Sequence, residues 1–205
     1  MWGTVVDRDG VVCAVAFTGQ NRGSQWPGSR VISAQKANTA NSFSLPGLAL
    51  STADLYAAVQ PGGTLYGLQH SNPVDTGVAY RGPASNFGQT DDPMIGHRIG
   101  GVNVFGGGLA LYSSKGVLIG GIGVSGDTSC ADHNISWRTR HSLNLDFVPA
   151  GVSAKTTTTS IIRDWSPYPA WGTTSRTPSA RSPASTTYPR SARACRPFRK
   201  SLPTE

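Results

Sequence analysis

The chain has 205 residues, with 18 Lys and Arg against 11 Asp and Glu, a length that predicts one domain and an appendage. The charge is unevenly spread: residues 1–150 carry 9 basic and 9 acidic side chains, whereas 151–205 carry 9 basic ones against Asp164 and Glu205. The neutral first part gives no reason to expect a specific nucleic-acid partner, no run of 18 apolar residues predicts a membrane span, and cysteines at 13, 130 and 195 form no metal-binding spacing.

In chain order, Thr4 to Asp7 and Val11 to Phe17 are apolar runs of strand length. Asp7-Arg8-Asp9-Gly10 between them is a turn signal, so the two form a hairpin. Val31, Ala34, Ala37, Ala40 and Phe43 recur at three-residue steps and predict a helix over 31–43, while Lys36, Asn38 and Asn41 leave that face. A face made mostly of alanine implies a close neighbour. Ser51 or Thr52 caps a second short helix, Ala53 to Val59. Leu65 to Leu68 reads as a short strand, and the polar, Pro- and Gly-bearing stretch from His70 to Asp92 as an excursion loop. Val102 to Phe105 and Leu109 to Tyr112 flank Gly106-Gly107-Gly108, and Val117 to Val124 returns as the second strand of another hairpin. Asp127 or Thr128 caps a last helix, on which Ala131, Ile135 and Arg138 follow at helical spacing. Hairpin, helices, hairpin and helix predict an α+β domain: a mostly antiparallel sheet with helices packed on one face.

Residues 151–205 contain 9 Ser, 10 Thr, 7 Pro and 7 Arg. That composition cannot build a core. It reads as a disordered basic tail, or as translation out of the native frame from near Gly151.

Four motifs occur in order: Val5-Val6-Asp7-Arg8-Asp9-Gly10; Lys36-Ala37-Asn38-Thr39-Ala40; Gly106-Gly107-Gly108-Leu109; and Gly116 to Gly126, ending Gly123-Val124-Ser125-Gly126. Together they resemble the GlcG/HbpS family of haem-binding proteins over most of residues 3–145. The resemblance implies a profilin- or PAS-like fold, haem or a related planar tetrapyrrole as ligand, and a homo-oligomer. It also implies a role in haem storage, sensing or degradation. The family's first helix, which precedes its first strand, has no counterpart in the match. An export signal ahead of that strand would imply a secreted or periplasmic protein, and its absence a cytoplasmic one.

Haem iron requires a strong axial ligand. Of His70, His97, His133 and His141, the candidates are His70, in the loop, and His133, near the start of the last helix. Lys36 and Thr39 match the family's helix motif; Lys36 can pair a propionate and Thr39 can hydrogen-bond one. Gly126 opens the last helix, whose first amides form an anion site. The stretch Gly121 to Gly126 is also formally G-x-G-x-x-G, with Asp146 twenty residues on. The alternative is therefore an enzyme using a nucleotide or flavin cofactor, and a third reading is a structural oligomer that binds nothing. No catalytic constellation emerges at recognisable spacing.

Overall fold

The computed structural model describes residues 1–148; the expectations for 151–205 lie outside the described residues. Four strands, β1 (Trp2–Asp7), β2 (Val12–Phe17), β3 (Gly108–Tyr112) and β4 (Leu118–Ser125), form one sheet in the order β2-β1-β4-β3. Every pairing is antiparallel. The first hairpin closes as expected. Asp7 accepts hydrogen bonds from the amides of Asp9 and Val11, both 2.9 Å, and Gly10 takes the positive φ (77°) that its turn requires.

Helix α1 (Ser29–Ser42) lies on one face. Ala34, Ala37 and Ala40 are fully buried against the sheet. Strand β4 meets them with glycine: a Cβ on Gly123 would lie 1.9 Å from the Ser33 carbonyl oxygen, and one on Gly121 2.4 Å from that of Ala37. Small residues on both sides bring the two backbones together. Thr4 on β1 and Ser33 on α1 share a buried hydroxyl–hydroxyl bond of 2.7 Å.

Strand residues alternate between faces, so Val5, Leu109, Leu111 and Ile122 point the other way. There they pack with Trp137 of α4 (Ser129–Ser142) and with Leu145. Helices therefore cover both faces, correcting the one-face expectation. Helix α4 packs mainly on β3 and β4. Beside it, Val5, Ala14 and Ala16 of the first hairpin join Val124, Ile135 and Leu143 around an open apolar hollow of about 260 Å³.

Several local expectations change. Residues 53–59 form two 3-10 turns rather than one helix, with Ser51 and Asp54 closing a capping box. Leu65 to Leu68 is a turn, not a strand; it leads into the four-residue helix α2 (Leu68–Ser71). Val102 to Phe105 is not a strand either, because its amides are held by side chains. Asn103 donates to Thr39 Oγ1 (3.0 Å), Val104 to Gln69 Oε1 (3.3 Å), and Phe105 to Asn103 Oδ1 (3.2 Å). The excursion loop contains the short helix α3 (Thr76–Ala79) and buries Ala79 in the main core, where Met94 just beyond the loop joins it. It is fixed to α1 by Arg30, which pairs with Asp92 and donates to the Ala79 carbonyl (2.7 Å). Lys36 and Asn41, expected off the buried face of α1, are 1% and 3% exposed, since each has a tertiary hydrogen-bond partner.

Candidate functional site

Where α1, the 105–108 turn and the start of α4 meet, a half-open groove of about 240 Å³ forms. Trp26, Ile32 and Phe105 give it apolar walls; Lys36, Gly126, Asp127 and Asp132 give it a polar end. Trp26 is 74% and Phe105 49% exposed, unusual for side chains of that size.

The polar end is internally satisfied. Lys36 Nζ donates to Asp132 Oδ2 (2.8 Å) and to the Val124 carbonyl (3.0 Å). Asp132 Oδ1 accepts from the Asp127 amide (3.0 Å), and Asp127 Oδ1 from the Thr128 amide (2.6 Å). Thr128 caps α4 through its hydroxyl, which accepts from the Ala131 amide (3.3 Å). The helix N-terminus, where a ligand anion was expected, thus already carries two carboxylates of this chain, which favour the positive end of the helix dipole. Burial pushes the Lys36 ammonium down and the Asp132 carboxyl up, while the bond between them opposes both shifts. Both directions indicate that desolvation outweighs their attraction.

The predicted site residues are not brought together as one set. Lys36 and Gly126 line the groove, and His133 follows groove-lining Asp132. Thr39 is fully buried in α1, its hydroxyl donating to Gln35 O (2.7 Å) and accepting from the Asn103 amide. His70 is exposed on α2, outside the groove. Among the other histidines, His97 Nε2 lies 3.3 Å from Arg81, and His141 Nδ1 2.6 Å from Asp146. The Gly121–Gly126 motif lies in a sheet without parallel strands, where its glycines serve contact with α1; a dinucleotide fold requires parallel βαβ units. Among the described residues no group of three His, Cys, Asp or Glu can hold a metal ion, and no helix is long and apolar enough to cross a membrane.

Burial, with the positive charges of Arg140 and Lys36, pushes His133 down to about 4, so it is neutral at pH 7. Its folded value lies below the ordinary 6.5. The stability it contributes is therefore present above pH 6.5 and lost as pH falls toward 4. We expect about 3 kcal/mol to disappear over that window. Urea unfolding at pH 7 and pH 4 should show it, and His133→Asn should flatten the slope. An equally steep slope in that variant would assign the loss to other groups.

Trp26, Phe105 and Asp132 escaped sequence reading. Trp26 carried a weak signal, a large apolar side chain in a loop before Pro27-Gly28. Asp132 carried none, since its partner lies 96 residues away.

The model of a family described as haem-degrading protein HbpS-like matches residues 3–139. Among solved structures, the crystal structure of a PduOC:heme complex superposes with a TM-score of 0.50 and 24% identity, over 72% of this chain and 80% of that one. The crystal structure of Klebsiella pneumoniae protein ORFY, a DUF336 protein, gives a TM-score of 0.43 and 28% identity, over 66% and 68%. No curated protein matches the chain significantly.

Proposed function

Because the chain belongs to the HbpS-like haem-degrading protein family, we propose that it binds haem and that the groove between Trp26 and Phe105 takes one edge of the macrocycle. The observation that carries this reading is the pair of exposed aromatic side chains lining one groove. Their π-faces suit a flat, apolar ring. The solved PduOC:heme complex, which shares the fold, adds support. A cleft of about 240 Å³ lies below the roughly 300–1,000 Å³ of ordinary ligand pockets. The remainder of the ring therefore needs a second surface, and a second copy of the chain is the partner we assign to it. Since Asp127 and Asp132 already cap α4, the propionates point away from that end.

His133 is the first choice of axial ligand and His70 the second. His133 adjoins the groove, is uncharged at neutral pH, and has an Nδ1 without a partner among the described residues. His70 is reachable from solvent. Bound haem would bring a redox-active iron. The ionisable side chains lining the groove, Lys36, Asp127 and Asp132, are already committed to each other or to the helix cap. This favours capture of haem, for storage or sensing, over its degradation.

Haemin titration of the full chain tests the proposal. We expect a saturable Soret band. Trp26→Ala should weaken binding about tenfold, and His133→Ala should displace or abolish the band, with His70→Ala leaving it unchanged. Absence of saturation in a folded protein would remove haem binding. The reverse pattern in the two histidine variants would move the ligand to α2.

A further inference from the structure

His133, Ser136 and Arg140 recur at three- and four-residue steps along α4 and so share one stripe of it. The whole stripe is buried, with exposures of 7%, 0% and 2%. It faces β3 and the turn before it. Arg140 Nη1 donates to the Ala110 carbonyl (3.0 Å), and a Cβ on Gly106 would sit 3.4 Å from that of His133. Four polar atoms on this stripe have no partner among the described residues: Arg140 Nε and Nη2, Ser136 Oγ and His133 Nδ1.

Buried polar atoms are almost always satisfied, and an unpaired buried charge is the costliest exception. The neighbouring acceptors are engaged elsewhere. Asp146 Oδ2 is held by His141 (2.6 Å), and the Tyr112 hydroxyl donates to the Leu45 carbonyl (3.0 Å). Asp132 and Asp92 are paired with Lys36 and Arg30. Asp146 is the carboxylate whose charge reaches Arg140, but it bonds to His141, and the seam between α4 and β3 keeps a cluster of open donors.

Their arrangement selects a ligand class. Long side chains on a helix lean toward its N-terminus, which carries the Arg140 guanidinium back over Ser136 and toward His133. The influence of the Arg140 charge on the His133 ring agrees with that proximity. Nε and Nη2 form one edge of the guanidinium fork, which matches two oxygens of a planar or tetrahedral anion. A hydroxyl and a neutral imidazole complete the ring of contacts. Water satisfies single hydrogen bonds but does not present two oxygens at the spacing of the fork.

We propose that the seam between α4 and β3 is a binding site for a small oxyanion, a carboxylate or phosphate group, gripped by the Nε and Nη2 fork of Arg140 with Ser136 and His133 beside it. The site shares His133 with the proposed haem groove, but Ser136 and Arg140 do not line that groove, and the site does not rest on haem binding.

The test uses the full chain, dialysed into buffer free of phosphate and carboxylates. Inorganic phosphate and, separately, acetate are titrated at constant ionic strength set with chloride. Calorimetry should show one saturable site per chain. The melting midpoint should rise by about 5 °C at roughly a hundredfold excess over Kd. Ser136→Ala should weaken binding several-fold. Arg140→Met should abolish it and, with no fork to fill, melt at a temperature independent of phosphate. Should Arg140→Met fail to fold, Ser136→Ala and the wild-type titrations decide. Melting of the wild type that ignores both anions, or an identical response in Ser136→Ala, would overturn the site and leave the seam to water.

Discussion

Arg30→Met is expected to cost about 3–5 kcal/mol, the usual penalty for removing one partner of a buried ion pair. Arg30 and Asp92 are 1% and 2% exposed. The guanidinium meets the carboxylate through two bonds, Nη2 to Oδ1 and Nε to Oδ2 (2.9 Å), and lies 3.6 Å from the Phe87 ring centroid. The carboxylate also accepts from the amides of Gly88 (2.6 Å) and Met94 (2.9 Å). One pair thus ties α1 to a loop 62 residues away. In Arg30→Met the carboxylate stays buried with its charge unmatched. Adding Asp92→Asn should restore part of the loss, because it removes the charge and keeps an acceptor. Urea unfolding of the wild type and the two variants measures this. A penalty below about 1 kcal/mol, the range of exposed pairs, would mean that water reaches Asp92.

The second large effect belongs to Lys36→Met, expected at a similar 3–5 kcal/mol. It strands the Asp132 carboxylate and removes the donor to the Val124 carbonyl. Because burial already raises the Asp132 carboxyl and Lys36 opposes that rise, losing Lys36 should raise it further. A raised carboxyl favours the folded state when protonated, and that benefit is lost as pH rises through its folded value. The deficit of Lys36→Met should therefore shrink on acidification. The double variant Lys36→Met, Asp132→Leu should recover most of the stability, since desolvation outweighs attraction in the intact pair. Only the contribution of Asp132 to the α4 N-terminus, about 0.3–1 kcal/mol, should remain missing. A double-mutant cycle showing no coupling would contradict the pairing.

Both effects come from contacts with no signature in the local pattern, and this separates what was legible from what was not. The first hairpin was legible because an Asp-Gly turn and two apolar runs are local. The close packing of α1 was legible as well. A helix face of alanines and a strand rich in glycine each imply a near neighbour, and the structure places them against each other. The match to four spaced motifs located the family over most of residues 3–145, and the family model matches 3–139.

Polar burial was not legible. On α4 the apolar spacing pointed to Ala131, Ile135 and Arg138, yet Ile135 is 37% exposed while Asp132, His133, Ser136 and Arg140 lie inside. Hydrophobic periodicity assumes that polar residues face water. It fails where a tertiary partner replaces the water, as Asp132 does for Lys36. Val102 to Phe105 failed for a related reason. Val102 and Val104 are buried against the 3-10 turns, but the amides of 103 and 104 bond to side chains instead of a strand.

The family, the α+β class, the hairpin and a close neighbour for α1 could be read from the residues alone, because each is written in local residue order or side-chain size. Only the tertiary structure decided which polar groups are inside. It joined Lys36 to Asp132 and Arg30 to Asp92, put Trp26 and Phe105 on the walls of one groove, and left the Arg140 fork without a partner among the described residues. Those outcomes depend on residues far apart in the chain meeting away from water, where an ion pair or an orphan donor carries an energy that no local pattern encodes.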